Sequence, residues 1–168
     1  MDRQPVVSGQ FYPGTKRDWE AKVREYLQPD ADRAKVQAKL VMLPHAGHIF
    51  SGHVAGATLA RVDLAPTVLL LGPNHTGQGQ SAAVWPDGSW RLPDAEMEVD
   101  AELAQAVIAA DPDLVADQEA HRAEHSLEVL LPFLWAVNPQ MKIVPVCVSL
   151  PERNKLQRMA RNLAQVLQ

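Results

Sequence analysis

Apolar positions along this chain follow two periods. Residues 40–43, 68–71, 82–85 and 142–150 form short, nearly unbroken apolar runs. Bounded by Gly, Pro or polar residues, such runs read as strands buried on both faces. A further short strand is expected near residues 114–115. Pro145 sits awkwardly in the 142–150 run, because proline cannot donate to a ladder. Between these runs the period changes to that of a helix. Trp19, Val23, Tyr26 and Leu27 mark an amphipathic helix over 16–27, closed by Pro29. A small-residue helix is expected over about 53–62, its alanines and Gly56 allowing close packing on the sheet. Asp100 is placed to cap a helix with Leu103, Ala106, Val107 and Ala110 on one face, stopped at Asp111-Pro112. Leu127, Leu130, Leu131 and Leu134 predict a helix over 126–138 that Pro132 bends or ends. Leu156, Met159, Leu163 and Leu167 define a last helical face. Ahead of all these, residues 5–14 are rich in turn formers but carry Phe11 and Tyr12, so they read as an ordered arm lying on the domain. Strands alternating with helices over residues 1–168 predict one α/β domain with a largely parallel or mixed central sheet flanked by helices.

Composition narrows the function classes. Apolar residues make up 46% of the 168 and charged residues 21%, as in ordinary globular domains. A formal charge of −4, with no basic run, leaves no electrostatic footprint for nucleic acid. No apolar stretch is long enough for a membrane span, and the amino-terminal residues do not open a signal peptide, so the expected location is the cytoplasm. Cys147 is the single cysteine, which excludes an intrachain disulfide and a cysteine-based zinc site. It alternates within an apolar run and reads as core.

Histidines carry the candidate chemistry. His45 follows the first apolar run through Pro44, and His75 follows the second through Gly72-Pro73-Asn74. Both fall just past the carboxyl ends of expected strands, the edge where open α/β sheets bind ligands. Two imidazoles at one edge could share a metal ion or a substrate. Asn74, His48 and Glu124 are the candidate substrate contacts. His125, beside Glu124 at the mouth of an apolar helix, is the candidate acid–base residue. His121 and His125 are four apart, but Arg122 stands where a zinc protease would carry its glutamate, and His121 reads as a polar-loop residue. Gly47 and Gly52 frame four residues without the lysine and hydroxyl of a phosphate loop, so nucleotide binding is rejected. No Gly-x-Ser-x-Gly elbow supports a serine hydrolase.

Four stretches then resemble, in order, the motifs of one family. Val7-Ser8-Gly9-Gln10-Phe11-Tyr12-Pro13, Pro44-His45-Ala46-Gly47-His48-Ile49-Phe50-Ser51-Gly52, Leu71-Gly72-Pro73-Asn74-His75 and Glu124-His125-Ser126-Leu127-Glu128 are similar to those of the Memo family, also called AmmeMemoRadiSam system protein B. The resemblance implies a fold similar to class III extradiol dioxygenases and a pocket in which His45 and His75 bind metal, with His125 nearby. It implies iron, with copper or zinc as alternatives. It also implies a third protein ligand outside this chain, which resembles the amino-terminal part of longer family members. Two functional classes follow: a metal-dependent, oxygen-using redox enzyme acting on a small molecule, and a non-catalytic module recognising an anionic or phosphotyrosine-type peptide or a protein partner. Radical-SAM and AMMECR-type proteins are the partners that the family name implies.

Overall fold

The computed structural model describes residues 1–28, 34–150 and 152–168. Helix α1 (Lys16–Tyr26) begins where the Thr15 side chain accepts a hydrogen bond from the Asp18 N–H, and it buries Trp19, Val23 and Tyr26. Burying three such side chains contributes about 1.5–3 kcal/mol each. Pro29, expected to close this helix, lies outside the described residues. Strand β1 (Val36–Gln37) pairs in parallel with β2 (Val62–Asp63), and helix α2 (His48–Leu59) runs between them. The 53–62 helix of the sequence therefore starts five residues earlier and stops before Val62. Its glycines face α1 rather than the sheet. A Cβ on Gly52 would lie 2.5 Å from the Tyr26 ring, and one on Gly56 2.4 Å from the Tyr26 carbonyl oxygen. Only glycine lets these helices approach so closely.

The 40–43 run is not a strand. It is extended but belongs to no ladder among the described residues, and Leu40 and Met42 are 89% and 90% exposed. Val41 and Leu43 alone pack on the core. The apolar composition was read correctly; burial on both faces was not, because nothing among the described residues covers the outer one.

Strand β3 (Thr67–Pro73) is the edge of a four-stranded sheet whose remaining members are β4 (Ala82–Val84), β7 (Val115–Ala116) and β8 (Lys142–Val148). Between β4 and β7 the chain makes an antiparallel hairpin, β5 (Ser89–Leu92) with β6 (Ala95–Glu98), that the hydrophobic pattern did not reveal. Helix α3 (Ala101–Ala110) follows, capped by Asp100, whose side chain accepts from the Leu103 N–H, and it stops at Asp111 as expected. β7 (Val115–Ala116) leads to the single turn α4 (Glu119–Arg122).

The 126–138 helix is shorter than its leucines suggest. A 3₁₀ turn (Glu128–Leu130) precedes α5 (Leu131–Val137), and Pro132 starts that helix instead of breaking it. Proline in a first turn lacks only an N–H that would be unpaired anyway. β8 (Lys142–Val148) is the central strand, parallel to β3 and antiparallel to β4. Its ladder with β4 ends at Val146, so Pro145 lies one residue beyond the last pair on that side. Helix α6 (Arg153–Val166) buries Met159 and Leu163. The sheet, ordered β3-β8-β4-β7, is thus mixed and flanked by helices. Among the described residues no helix is long and apolar enough to cross a membrane.

Candidate metal centre

Three chain segments meet at the end of edge strand β3. His75 follows that strand through Pro73 and Asn74. His45 ends the extended segment leading into α2, and His125 follows α4. The ring centroids of His45 and His75 are 5.2 Å apart, those of His75 and His125 4.7 Å, and those of His45 and His125 6.1 Å. A point equidistant from all three lies about 3.1 Å from each centroid. A metal–nitrogen bond of 2.0–2.1 Å plus about 1 Å from nitrogen to ring centre gives roughly the same length. The three ring centroids are thus spaced as three imidazoles around one ion would be.

Packing behind the cluster makes this convergence possible. The Ser126 hydroxyl donates to the Pro73 carbonyl at 2.9 Å, joining the segment after His125 to the end of β3. Gly72 leaves the room: a Cβ there would lie 2.6 Å from a Leu127 methyl carbon and 3.1 Å from the Ser126 hydroxyl. On the other side of His125, the Phe11 ring lies 4.9 Å away, so the amino-terminal arm forms part of the wall.

Glu124 is the hub. Its carboxylate is 1% exposed and accepts four hydrogen bonds. One comes from the His75 ring Nδ1 at 2.9 Å, and three from the backbone N–H groups of His75 (2.5 Å), His125 (2.9 Å) and Ser126 (2.8 Å). Burial pushes this carboxyl up, but the His75 ring and the N–H donors outweigh burial and hold it at about 2. It is ionised at neutral pH. An ionised carboxylate only accepts, so Nδ1 of the His75 ring carries the proton in this bond and Nε2 is the nitrogen turned away from Glu124. A carboxylate behind one imidazole nitrogen that frees the other is how metal-binding histidines are commonly oriented. Burial lowers the pKa of His125, against the pull of Glu124, with His75 and His45 adding to the lowering.

Ligand atoms of His75, Glu124 and His125 all lie within 4.8 Å of one another, so these three could hold a metal ion. His45, with its ring centroid 5.2 Å from that of His75, lies beside this group but is not one of its three members.

Two sequence candidates are placed elsewhere. His48 is 3% exposed and lies in the core among Tyr12, Tyr26 and Phe133, its Nε2 donating to the Val129 carbonyl at 2.7 Å. The Asn74 amide is occupied in building the loop after β3. Its oxygen accepts from the Thr76 N–H and hydroxyl and from the Gly77 N–H, and its nitrogen donates to the Gln78 carbonyl. His121 is not a polar-loop residue but fully buried; its Nε2 donates to the Ala83 carbonyl and its Nδ1 lies 3.3 Å from Cys147 Sγ. Burial, only partly opposed by that carbonyl, holds His121 at about 4. Sequence reading gave no role to Arg3 or Glu128, which hold the 121–128 segment from behind.

Comparison with known proteins agrees with this arrangement of motifs. A family model described as Memo-like protein matches residues 3–168, nearly the whole chain. The chain belongs to the Memo family. A MEMO1 family protein of Archaeoglobus fulgidus is 37% identical over 163 residues, covering 96% of this chain and 59% of its own length. One from Aquifex aeolicus is 37% identical over 166 residues, with 98% and 61% covered. One from Sulfurisphaera tokodaii is 31% identical over 182 residues, covering this whole chain and 64% of its own. This Memo-family chain thus spans about three-fifths of the length of the curated relatives it matches.

Proposed function

We propose that this Memo-family chain binds one divalent transition metal through the imidazoles of His45, His75 and His125, with Glu124 orienting His75. The observation that carries this reading is the spacing of the three rings about one point, 4.7–6.1 Å between centroids. Glu124 offers oxygens within reach, yet these already accept four hydrogen bonds, which suits an orienting group better than a ligand. His125 then acts as a ligand rather than as the acid–base group suggested by its place in the sequence. Neutral nitrogen donors suit iron(II), copper and zinc. Iron is taken as the working choice among these on the family resemblance to extradiol dioxygenases, since three imidazoles by themselves do not select it.

Iron(II), when bound, would supply redox chemistry towards dioxygen and a small diol-type molecule. The chain's own residues would do the rest. Glu124 keeps Nδ1 of His75 protonated and Nε2 free. Burial lowers the pKa of His125, which favours the neutral form that can ligate. Phe11 gives one apolar wall beside His125, against which a flat ring could rest.

The test is an anaerobic titration with Fe(II), Co(II), Cu(I) and Zn(II) on the parent and on His45→Ala, His75→Ala and His125→Ala. The parent should bind one equivalent, and each substitution should weaken binding tenfold or more. Equal binding by the triple variant would remove the metal centre. If metal binds, oxygen uptake with aromatic diols then separates an enzyme from a binding module.

A further inference from the structure

We propose that Arg3, in the amino-terminal arm, is a positioning residue for the imidazole cluster; the proposal rests on the metal reading above but is testable without metal. Arg3 is 2% exposed, and apart from a 3.4 Å bond from Nη1 to the Gln4 carbonyl its guanidinium donates to one short segment. Nε donates to the His121 carbonyl at 2.8 Å, Nη2 to the Glu124 carbonyl at 2.6 Å, and Nη1 to the Glu128 carboxylate at 2.8 Å. These three acceptors bracket Glu124 and His125 from both sides in sequence.

Arg3 is itself fixed from behind. Its N–H donates to the Ser89 carbonyl, its carbonyl accepts from the Arg91 N–H, and its guanidinium carbon lies 4.3 Å over the centre of the Trp90 ring. The arm is therefore fastened to the β5–β6 hairpin and reaches the site from there.

Glu128 closes the same circuit. It is fully buried and also accepts from the N–H groups of Val6 and Val7 and from the Tyr12 hydroxyl. Phe11, next to Tyr12, places its ring on His125. Both branches of the arm thus end on the Glu124–His125 pair, one through a carbonyl and one through an aromatic face. A planar fork with donors at fixed angles can hold two carbonyls and a carboxylate at once; a lysine ammonium at the same position cannot. Arg3 touches none of the imidazoles and acts through the backbone of the segment that carries them.

Arg3→Lys separates positioning from charge, since it keeps the positive charge opposite Glu128 and loses the fork. Arg158→Lys serves as the comparison. Arg158 is bound to Asp111 and Asp113 and makes no contact with the cluster. Two readouts are taken: Co(II) affinity with its visible spectrum, and, on metal-free protein, a long-range 1H–15N correlation that shows which ring nitrogen of His75 carries the proton. In the parent, His75 should show the Nδ1–H form that Glu124 imposes. Arg3→Lys should lose that form and bind Co(II) about 10–100-fold more weakly, the usual effect of disturbing an orienting shell, with its far-ultraviolet circular dichroism unchanged. Arg158→Lys should change neither readout.

If Arg3→Lys does not fold, Glu128→Gln takes its place; it keeps the shape, leaves the fork one charged partner fewer, and should shift both readouts in the same direction. Retention of the Nδ1–H form and of full Co(II) affinity in the folded variant would overturn the proposal, as would an equal loss in Arg158→Lys. If no variant binds Co(II), the parent included, but His75 changes its proton in Arg3→Lys, the metal reading fails and the positioning role stands.

Discussion

Replacing Glu124 by glutamine tests the charge at the hub while keeping its shape. The carboxylate accepts four hydrogen bonds, three of them from backbone N–H groups. In the amide, one oxygen becomes a donor, so at least one N–H faces another donor. Leaving a buried donor unpaired costs about 1–3 kcal/mol, and the remaining bonds lose their charge assistance. Linkage gives a second estimate. The carboxyl falls from an ordinary 4.5 to about 2 on folding. Discounted for the water that reaches the half-exposed His75 beside it, that corresponds to about 2 kcal/mol at pH 7. For a domain of this length, 2 kcal/mol corresponds to a drop in Tm of roughly 4–8 °C. Because the folded value is depressed, the stabilisation is fully present above about pH 4.5 and is lost as pH falls towards 2. Thermal unfolding of metal-free parent and Glu124→Gln, followed by circular dichroism from pH 7 to pH 3, should therefore show a gap that narrows by roughly half at the acid end. A gap independent of pH would show that ionised Glu124 does not carry the stabilisation. No gap at pH 7 would refute the role of hub altogether.

Three further outcomes follow from the packing. Burial, with Glu124 adding to it, pushes the Cys147 thiol up to about 12. A disulfide reagent at pH 8 should therefore label it only as fast as the protein unfolds, and full labelling of native protein within minutes would contradict that burial. Gly72→Ala places a methyl group 2.6 Å from Leu127 and should cost about 1–3 kcal/mol. It should also weaken metal binding by moving the segment that carries His125, whereas unchanged affinity would separate Gly72 from the site. The side-chain bonds of Arg158 hold Asp111 at about 2, with burial opposing them. The contribution of that pair is present above about pH 4 and lost towards pH 2, so Arg158→Met should destabilise the protein at pH 7 and much less near pH 2.5, read by urea unfolding at both values.

Much of the molecule was legible because local rules decided it. Asp100 capped its helix and Asp111-Pro112 ended it; Trp19, Val23 and Tyr26 formed the buried face of α1. His45 and His75 lie together, ring centroids 5.2 Å apart, although only the segment before His75 is a strand of the sheet. What was not legible depended on contacts far apart in sequence. Arg3 lies 121 residues from Glu124, and nothing in its neighbours Asp2 and Gln4 marks it as buried. His121 looked polar because its local sequence is polar, yet its ring lies against Trp85 and Trp90. Asn74 looked like a ligand contact because it precedes His75, but an asparagine two residues ahead of a free N–H is as well suited to fold its own loop.

The 40–43 run shows a different limit, and it yields a last prediction. Apolar composition states that a segment loses free energy in water; it does not state what will cover it. Here Leu40, Met42, Ile49, Phe50, Val54 and Leu71 are 56–90% exposed. Helix α2 carries no Asp, Glu, Lys or Arg on any face. A helix without charge that leaves Ile49, Phe50 and Val54 in water is more apolar on its outer face than a surface helix usually is. Each of these side chains, once covered, would contribute about 1.5–3 kcal/mol. The chain on its own should therefore bind a hydrophobic dye while fully folded and should associate as its concentration rises. Replacing Met42 and Phe50 by glutamine should reduce both effects while changing stability by no more than about 0.5 kcal/mol per site, as for other exposed positions. A large loss of Tm in that double variant would mean that these side chains already have partners in the folded chain, and the exposed face would have to be redrawn.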